Sequence, residues 1–216
     1  MSEHPLTVRA EATSAPRLLQ PRHKQLGPLS ARQLFCGPTG AGKTLAAQTA
    51  ARALLPLMDR VYIYSGSLDG PTIAKFKEQV REHLRKRGAL DESEPFHASL
   101  KDLDMYISEC AKRTKEAQAL GGPGFQCLMW LDDLLSQYRG AAATKAIERL
   151  FYSGRHFGIT VMLLSQSFRT AISPIIRTQT SHIALWPSQA AEVQAVGCRC
   201  RLSVQFWVLG PEKSPP

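Results

Sequence analysis

Uncharged runs rich in β-branched and aromatic residues recur along the chain, and between them the apolar positions switch to helical spacing. Gln33–Cys36 (QLFC) predicts a short strand. Leu45–Leu55 (LAAQTAARALL) is alanine- and leucine-rich enough for a helix that ends before Pro56. Arg60–Tyr64 (RVYIY) predicts a second strand, with a turn over Gly66–Gly70. From Pro71 onward Ile73, Phe76, Val80 and Leu84 recur three and four residues apart and make one apolar helix face. Lys77, Arg81 and Arg85 form a basic stripe beside it. Gly88–Glu94 is an acidic, flexible break. Ser99 with Asp102 (SLKD) resembles a capping box, opening a helix that runs towards Leu120 and stops at Gly121 and Gly122. Phe125–Asp133 (FQCLMWLDD) predicts an apolar strand emptying into two carboxylates, and Ala141–Tyr152 a helix. Ile159–Ser165 (ITVMLLS) carries no charge and predicts a buried parallel strand. Ser173 and Pro174 start a short helix through Arg177, and His182–Trp186 reads as another strand. A helix over Ser188–Val196 and a strand over Leu202–Leu209 complete the pattern, which predicts an α/β fold with a mostly parallel sheet flanked by helices.

Composition sets the domain plan. Pro5, Pro16, Pro21 and Pro28 among polar and basic residues, with no periodicity, predict a flexible basic arm over residues 1–29. Residues 30–210 then form one domain, and 211–216 a disordered tail. A chain of 216 residues with 44% hydrophobic content buries roughly 70% of its unfolded surface. The net charge of +9 and pI near 9.6 suggest an acidic partner such as nucleic acid. Arg17, Arg22, Lys24 and the stripe at Lys77, Arg81 and Arg85 are either solvated or face a phosphate backbone. No run approaches the ~18 apolar residues of a membrane span and there is no apolar leader, so a soluble, intracellular protein is expected. Five cysteines without a secretory signal read as free thiols. The Cys198/Cys200 pair has no second pair at zinc-site spacing.

The chemistry concentrates at the ends of the apolar strands. Gly37, Pro38, Thr39, Gly40, Ala41, Gly42, Lys43 and Thr44 (GPTGAGKT) match the GxxxxGK[ST] phosphate loop, or Walker A motif, between a strand and a helix. Its glycines allow tight turns that aim amide N–H groups at a polyphosphate. Lys43 reaches the β- and γ-phosphates, and the Thr44 hydroxyl ligates Mg²⁺. Asp132 and Asp133 at the end of the third apolar strand read as Walker B, with Asp132 on Mg²⁺ and Asp133 polarising the attacking water. A helix N-cap aspartate is the bland alternative. Gln166, an amide directly after an uncharged strand, suits a sensor of the γ-phosphate. No NKxD-type guanine-reading motif and no LSGGQ signature is present, which argues against a GTPase or an ABC transporter.

With LFCGPTGAGKT, VYIYSG, LMWLDDL and above all GRHFGITVMLLSQSF, the chain resembles the FtsK and HerA group of DNA-pumping ATPases. Within that group it looks most like the genome-packaging ATPases of double-stranded DNA viruses, of the poxvirus, virophage and Polinton types, from about Gln33 to Pro187. The resemblance implies a P-loop NTPase fold in which an additional strand, Ile159–Ser165, lies between the Walker A and Walker B strands and sets Gln166 beside the γ-phosphate. It also implies a homo-oligomeric ring around duplex DNA. Arg155 occupies the place of an arginine that reaches into the neighbouring subunit's ATP; a surface arginine capping the preceding helix is the alternative. Arg177 is a second candidate for an intersubunit or DNA contact.

The expected function is therefore Mg²⁺- and ATP-dependent translocation of double-stranded DNA, without sequence preference, into a preformed capsid. Capsid or other virion proteins would be partners, and the assembling virion in the host cell its place of action. A nucleotide or polynucleotide kinase and a nucleotide-gated capsid scaffold remain open, although the segment after Gln166 lacks an evident arginine-rich lid and a scaffold has no chemical need for Asp133.

Overall fold

Alternation within the strands assigns each side chain to one of two helical layers. The computed structural model describes residues 29–89, 94–122, 124–132, 141–168, 172–186 and 205–208, with the backbone alone at 71, 72, 141, 142 and 205–208. The elements run β1 (Arg32–Cys36), α1 (Lys43–Leu54), β2 (Arg60–Ser65), α2 (Pro71–Lys86), β3 (Phe96–His97), α3 (Leu103–Ala119), β4 (Cys127–Asp132), α4 (Ala141–Ser153), β5 (Ile159–Ser165), α5 (Pro174–Gln179), β6 (His182–Leu185) and β7 (Gln205–Val208). Among the described residues the sheet has seven strands, in the order β3-β2-β4-β5-β1-β6-β7, and every ladder between them is parallel. All strands thus end at one edge, where the loops that follow β1, β4 and β5 are neighbours.

On one face Phe35, Val61, Ile63, Leu128, Trp130, Met162 and Leu164 pack under Ala47, Ala51 and Leu54 of α1 and Ile73, Phe76, Val80 and Leu84 of α2. On the other, Leu34, Tyr62, Tyr64, Met129, Leu131, Val161 and Leu163 meet Leu103, Ile107 and Cys110 of α3, Leu150 and Phe151 of α4, and Ile176 of α5. Covering both faces is what a parallel sheet requires, because each crossover lays its helix on one face or the other. It also explains why β5 is buried along its whole length.

Several expectations shift in detail. The α1 helix starts two residues early, at Lys43, and ends at Leu54, after which a 3-10 turn carries Pro56 in its first positions. The SLKD segment does not form a capping box: α3 starts at Leu103, and Asp102 sits at the N-cap without a side-chain hydrogen bond. The Leu103 N–H instead closes a turn on the Leu100 carbonyl, and both leucines are buried, so packing of that pair sets the helix start. Ser173 does cap α5, accepting from the Ile176 N–H at 3.4 Å. The basic stripe of α2 leans on β3, with Lys77 and Arg81 over the Phe96 ring at 5.3 and 5.0 Å. Leu29, the last residue assigned to the arm, is buried against the α1/α2 layer. Residues 1–28, Asp133, Cys198, Cys200, the helix expected over Ser188–Val196 and the 211–216 tail lie outside the described residues. Cys36, Cys110 and Cys127 are buried and in no disulfide, and the described residues hold no group of three or more His, Cys, Asp or Glu placed to bind a metal ion. Among them, no helix is long and apolar enough to cross a membrane.

Candidate functional site

The site is built outward from the carboxyl end of β1. There the Trp186 N–H donates to the Cys36 carbonyl at 2.9 Å, and the Gly37 N–H to the Ser165 carbonyl at 3.2 Å, so the ladders to both neighbouring strands run up to the root of the loop. The chain then turns, with the Ala41 N–H on the Pro38 carbonyl at 3.3 Å. Gly40 at φ 79° and Gly42 at φ 90° take left-handed conformations, and Gly42 is the N-cap of α1. A Cβ at either would meet nothing within 4 Å, so glycine is required there by the backbone and not by crowding. Gly37 is the reverse case: its φ is ordinary, but a Cβ would come 2.6 Å from the Trp186 Cβ.

These turns leave Pro38, Thr39, Gly40 and Gly42 exposed above the N-terminus of α1. No acidic residue occupies the first turn of that helix to offset its positive end. The Lys43 ammonium folds back over the loop and donates to the Pro38 carbonyl at 2.8 Å. A loop with open space above Gly40 and Gly42, a helix N-terminus without an acidic residue and a lysine held by a carbonyl fits a polyphosphate. Thr44, half-buried, follows in the same turn of α1.

Asp132 closes β4. It lies in register with Ser65 of β2 and Leu164 of β5, two residues beyond Trp130 and therefore on the α1/α2 face of the sheet. Gln166 is exposed immediately past the end of β5. A tight turn holds it at the sheet edge: the Ser165 hydroxyl donates to the Ser167 carbonyl at 3.0 Å and accepts from the Ser167 N–H at 3.4 Å. At the end of β2, Ser65 makes the corresponding turn by accepting from the Ser67 N–H at 3.1 Å. Loop, Thr44, Asp132 and Gln166 therefore gather at the carboxyl edge of three adjacent strands, with β5 between β1 and β4.

Arg155 is not part of that gathering. It sits in a 3-10 turn, Gly154–Phe157, just before β5 begins, while the loop lies beyond the other end of this seven-residue strand, roughly 20 Å away at ~3.3 Å per residue. Its exposed guanidinium donates to the His156 ring at 3.1 Å rather than to a helix carbonyl. Nearby Arg32, at the start of β1, donates to the Phe151 carbonyl at 3.5 Å. Burial, and then the charge of Arg155, lower the pKa of Arg32. Arg177 lies over the Phe168 ring at 5.7 Å on the α3/α4/α5 side. The sequence reading passed over Ser65 and Trp186, both at the carboxyl edge. Each follows an apolar run and offers no spacing signal of its own.

No family model matches the sequence, and no curated protein matches it. Solved structures do. One is the genome packaging NTPase B204 from Sulfolobus turreted icosahedral virus 2 in complex with ATP-gammaS, 13% identical over 78% of this chain and 81% of that one, with a TM-score of 0.51. A second is B204, the DNA-packaging ATPase from Sulfolobus turreted icosahedral virus, 16% identical over 79% and 82%, with a TM-score of 0.52. A third is the pCW3 conjugation coupling protein TcpA in monomer form with ATPgS, 16% identical over 70% of this chain and 48% of that one, with a TM-score of 0.51. At such identities the likeness is one of architecture: a parallel sheet flanked by helices, the fold of the P-loop NTPases.

Proposed function

We propose that this chain is an ATP-driven translocase of double-stranded DNA that packages a viral genome into a preformed capsid. The observation that carries the reading is the meeting of a glycine-rich loop, Thr44, Asp132 and Gln166 at one edge of β4, β5 and β1. The likeness of fold to genome-packaging and DNA-packaging enzymes supports the choice of substrate.

In this reading the backbone amides of Thr39, Gly40, Gly42, Lys43 and Thr44, at the loop and the α1 N-terminus, hold the polyphosphate, and Lys43 leaves the Pro38 carbonyl to neutralise the β- and γ-oxygens. Thr44 and Asp132 hold Mg²⁺, which supplies charge neutralisation to the transferring phosphoryl group. Asp133 polarises the attacking water, and Gln166 reports the terminal phosphate by hydrogen bonding. Subunits of a homo-oligomeric ring act in turn on duplex DNA, bound through its phosphates and so without sequence preference. Virion proteins recruit the ring, and it works at the assembling particle in the host cell. We assign it to the poxvirus, virophage and Polinton type of packaging enzyme, on the motifs quoted between Gln33 and Pro187.

Hydrolysis by the full chain at low salt, with and without long duplex DNA of random sequence, tests this. Turnover should rise strongly with DNA, and the rise should fade as salt is raised, because each phosphate contact releases counterions. Asp133→Asn should keep ATP binding and lose turnover. The assignment fails if that variant releases phosphate at the parental rate. Turnover indifferent to DNA would instead favour a kinase or a nucleotide-gated scaffold.

A further inference from the structure

We infer that Trp186 is the platform on which the base of the bound nucleoside triphosphate stacks; this rests on the nucleotide reading above and extends it to the other end of the ligand. The strand order gives the direction. With β1 under the phosphate loop, Gln166 and Asp132 lie to one side on β5 and β4, and β6 lies on the other. A triphosphate whose terminal phosphate faces Gln166 and Asp132 carries its ribose and base away from them, towards β6. The first residue past β6 is Trp186.

Its side chain is on the correct face and is held there. Trp186 follows Ala184 by two positions, and both pack on the α1/α2 side of the sheet, the side from which α1 springs. The residue is half-buried and packs against the core of that face. Its N–H bond to the Cys36 carbonyl at 2.9 Å fixes the backbone beside the loop. The Gly37 contact places the root of the side chain over the loop: a Cβ at position 37 would lie 2.6 Å from the Trp186 Cβ and 3.3 Å from its Cγ. Because Gly37 has an ordinary φ, this close approach is what excludes a side chain there. A flat aromatic surface is thus placed against the root of the loop before any ligand arrives, and a pre-placed ring loses little freedom on binding. Stacking on such a surface accepts any base, since every base has a π-face.

The test compares ligands with and without a base. The full chain is titrated calorimetrically with ATP and with inorganic tripolyphosphate, each with Mg²⁺. The parental protein should bind ATP more tightly than tripolyphosphate. Trp186→Ala should weaken ATP roughly ten- to hundredfold and leave tripolyphosphate unchanged, while Trp186→Phe, which keeps a stacking face, should retain most of the ATP affinity. Equal weakening of both ligands would assign Trp186 to support of the loop and overturn the platform, as would Trp186→Ala binding ATP like the parent. If the parent binds tripolyphosphate but gains nothing from the nucleoside, the platform alone is overturned. If it binds neither ligand, the nucleotide reading falls and the platform with it. In a Trp207→Phe background, quenching of tryptophan emission by ATP that disappears on Trp186→Phe supplies a readout independent of affinity, because Trp130, the third tryptophan, is wholly buried beneath α2; quenching that survives Trp186→Phe in that background would count against the platform.

Discussion

Arg155→Ala is expected to lower DNA-stimulated ATP hydrolysis by about 10³–10⁵-fold, the range in which arginine fingers act, equivalent to about 4–7 kcal/mol of barrier, while leaving the affinity for ATP unchanged. The geometry makes the prediction specific. Within one chain Arg155 precedes β5 and the glycine-rich loop lies past its far end, so the guanidinium cannot serve its own loop without unfolding the strand between them. Any contribution to hydrolysis must come from a neighbouring subunit. The side chain is exposed, and no helix carbonyl engages it, which removes the capping role considered from the sequence. Arg32 beside it adds a like charge at the same edge of the sheet. A mixing experiment separates action between subunits from action within one. Arg155→Ala and Lys43→Ala should each be inert alone, yet recover turnover when mixed, because the first contributes an intact loop and the second an intact arginine. No recovery on mixing, or an Arg155→Ala protein as active as the parent, would end the assignment of Arg155 as a finger.

How much of this was legible in the chain follows from how each feature is encoded. Ile159–Ser165 matches its predicted bounds to the residue because a strand buried on both faces is marked by the absence of charge along its whole length. The glycine-rich loop is legible because its conformation demands particular residues at fixed spacing, as Gly40 and Gly42 show. β3 was missed: at two residues, Phe96–His97, it is too short to display any period. The SLKD spacing was present but did not form its box, since burial of Leu100 and Leu103 decided where α3 begins. The order of strands is not written in local pattern, because it depends on which crossovers pass over which face. The placing of β5 between β1 and β4 was anticipated only through resemblance to a family. Trp186 looked like the last apolar residue of a strand, and its pairing with Gly37 joins positions far apart in the chain.

The largest expected effect on stability is that of Gly158→Ala. Gly158 has φ 68°, and a Cβ there would lie 1.9 Å from the Phe125 carbonyl oxygen, a backbone atom with no rotamer to give way. Gly121 has the same φ of 68° but nothing within 4 Å of its Cβ position, so the two substitutions share the left-handed strain and differ only in overlap. That strain is worth about 1–2 kcal/mol, and forced overlap in a packed region adds roughly 1–3 kcal/mol. Gly158→Ala should therefore cost about 2–5 kcal/mol and lower Tm by roughly 5–20 °C for a domain of this size, with Gly121→Ala showing the strain alone. The position couples stability to the site. The Gly158 carbonyl accepts from the Cys127 N–H at 2.9 Å, starting the ladder between β4 and β5, and the adjacent Phe157 carbonyl accepts from the Thr114 hydroxyl of α3 at 2.8 Å. Relief of the overlap must displace the turn that carries Arg155 or the segment that leads into Asp132. Gly158→Ala protein that remains folded at low temperature should consequently lose DNA-stimulated turnover beyond the fraction unfolded, whereas Gly121→Ala should not. Equal melting temperatures for the two variants would show that the Phe125 backbone yields to the added carbon, and that the junction is softer than its geometry indicates.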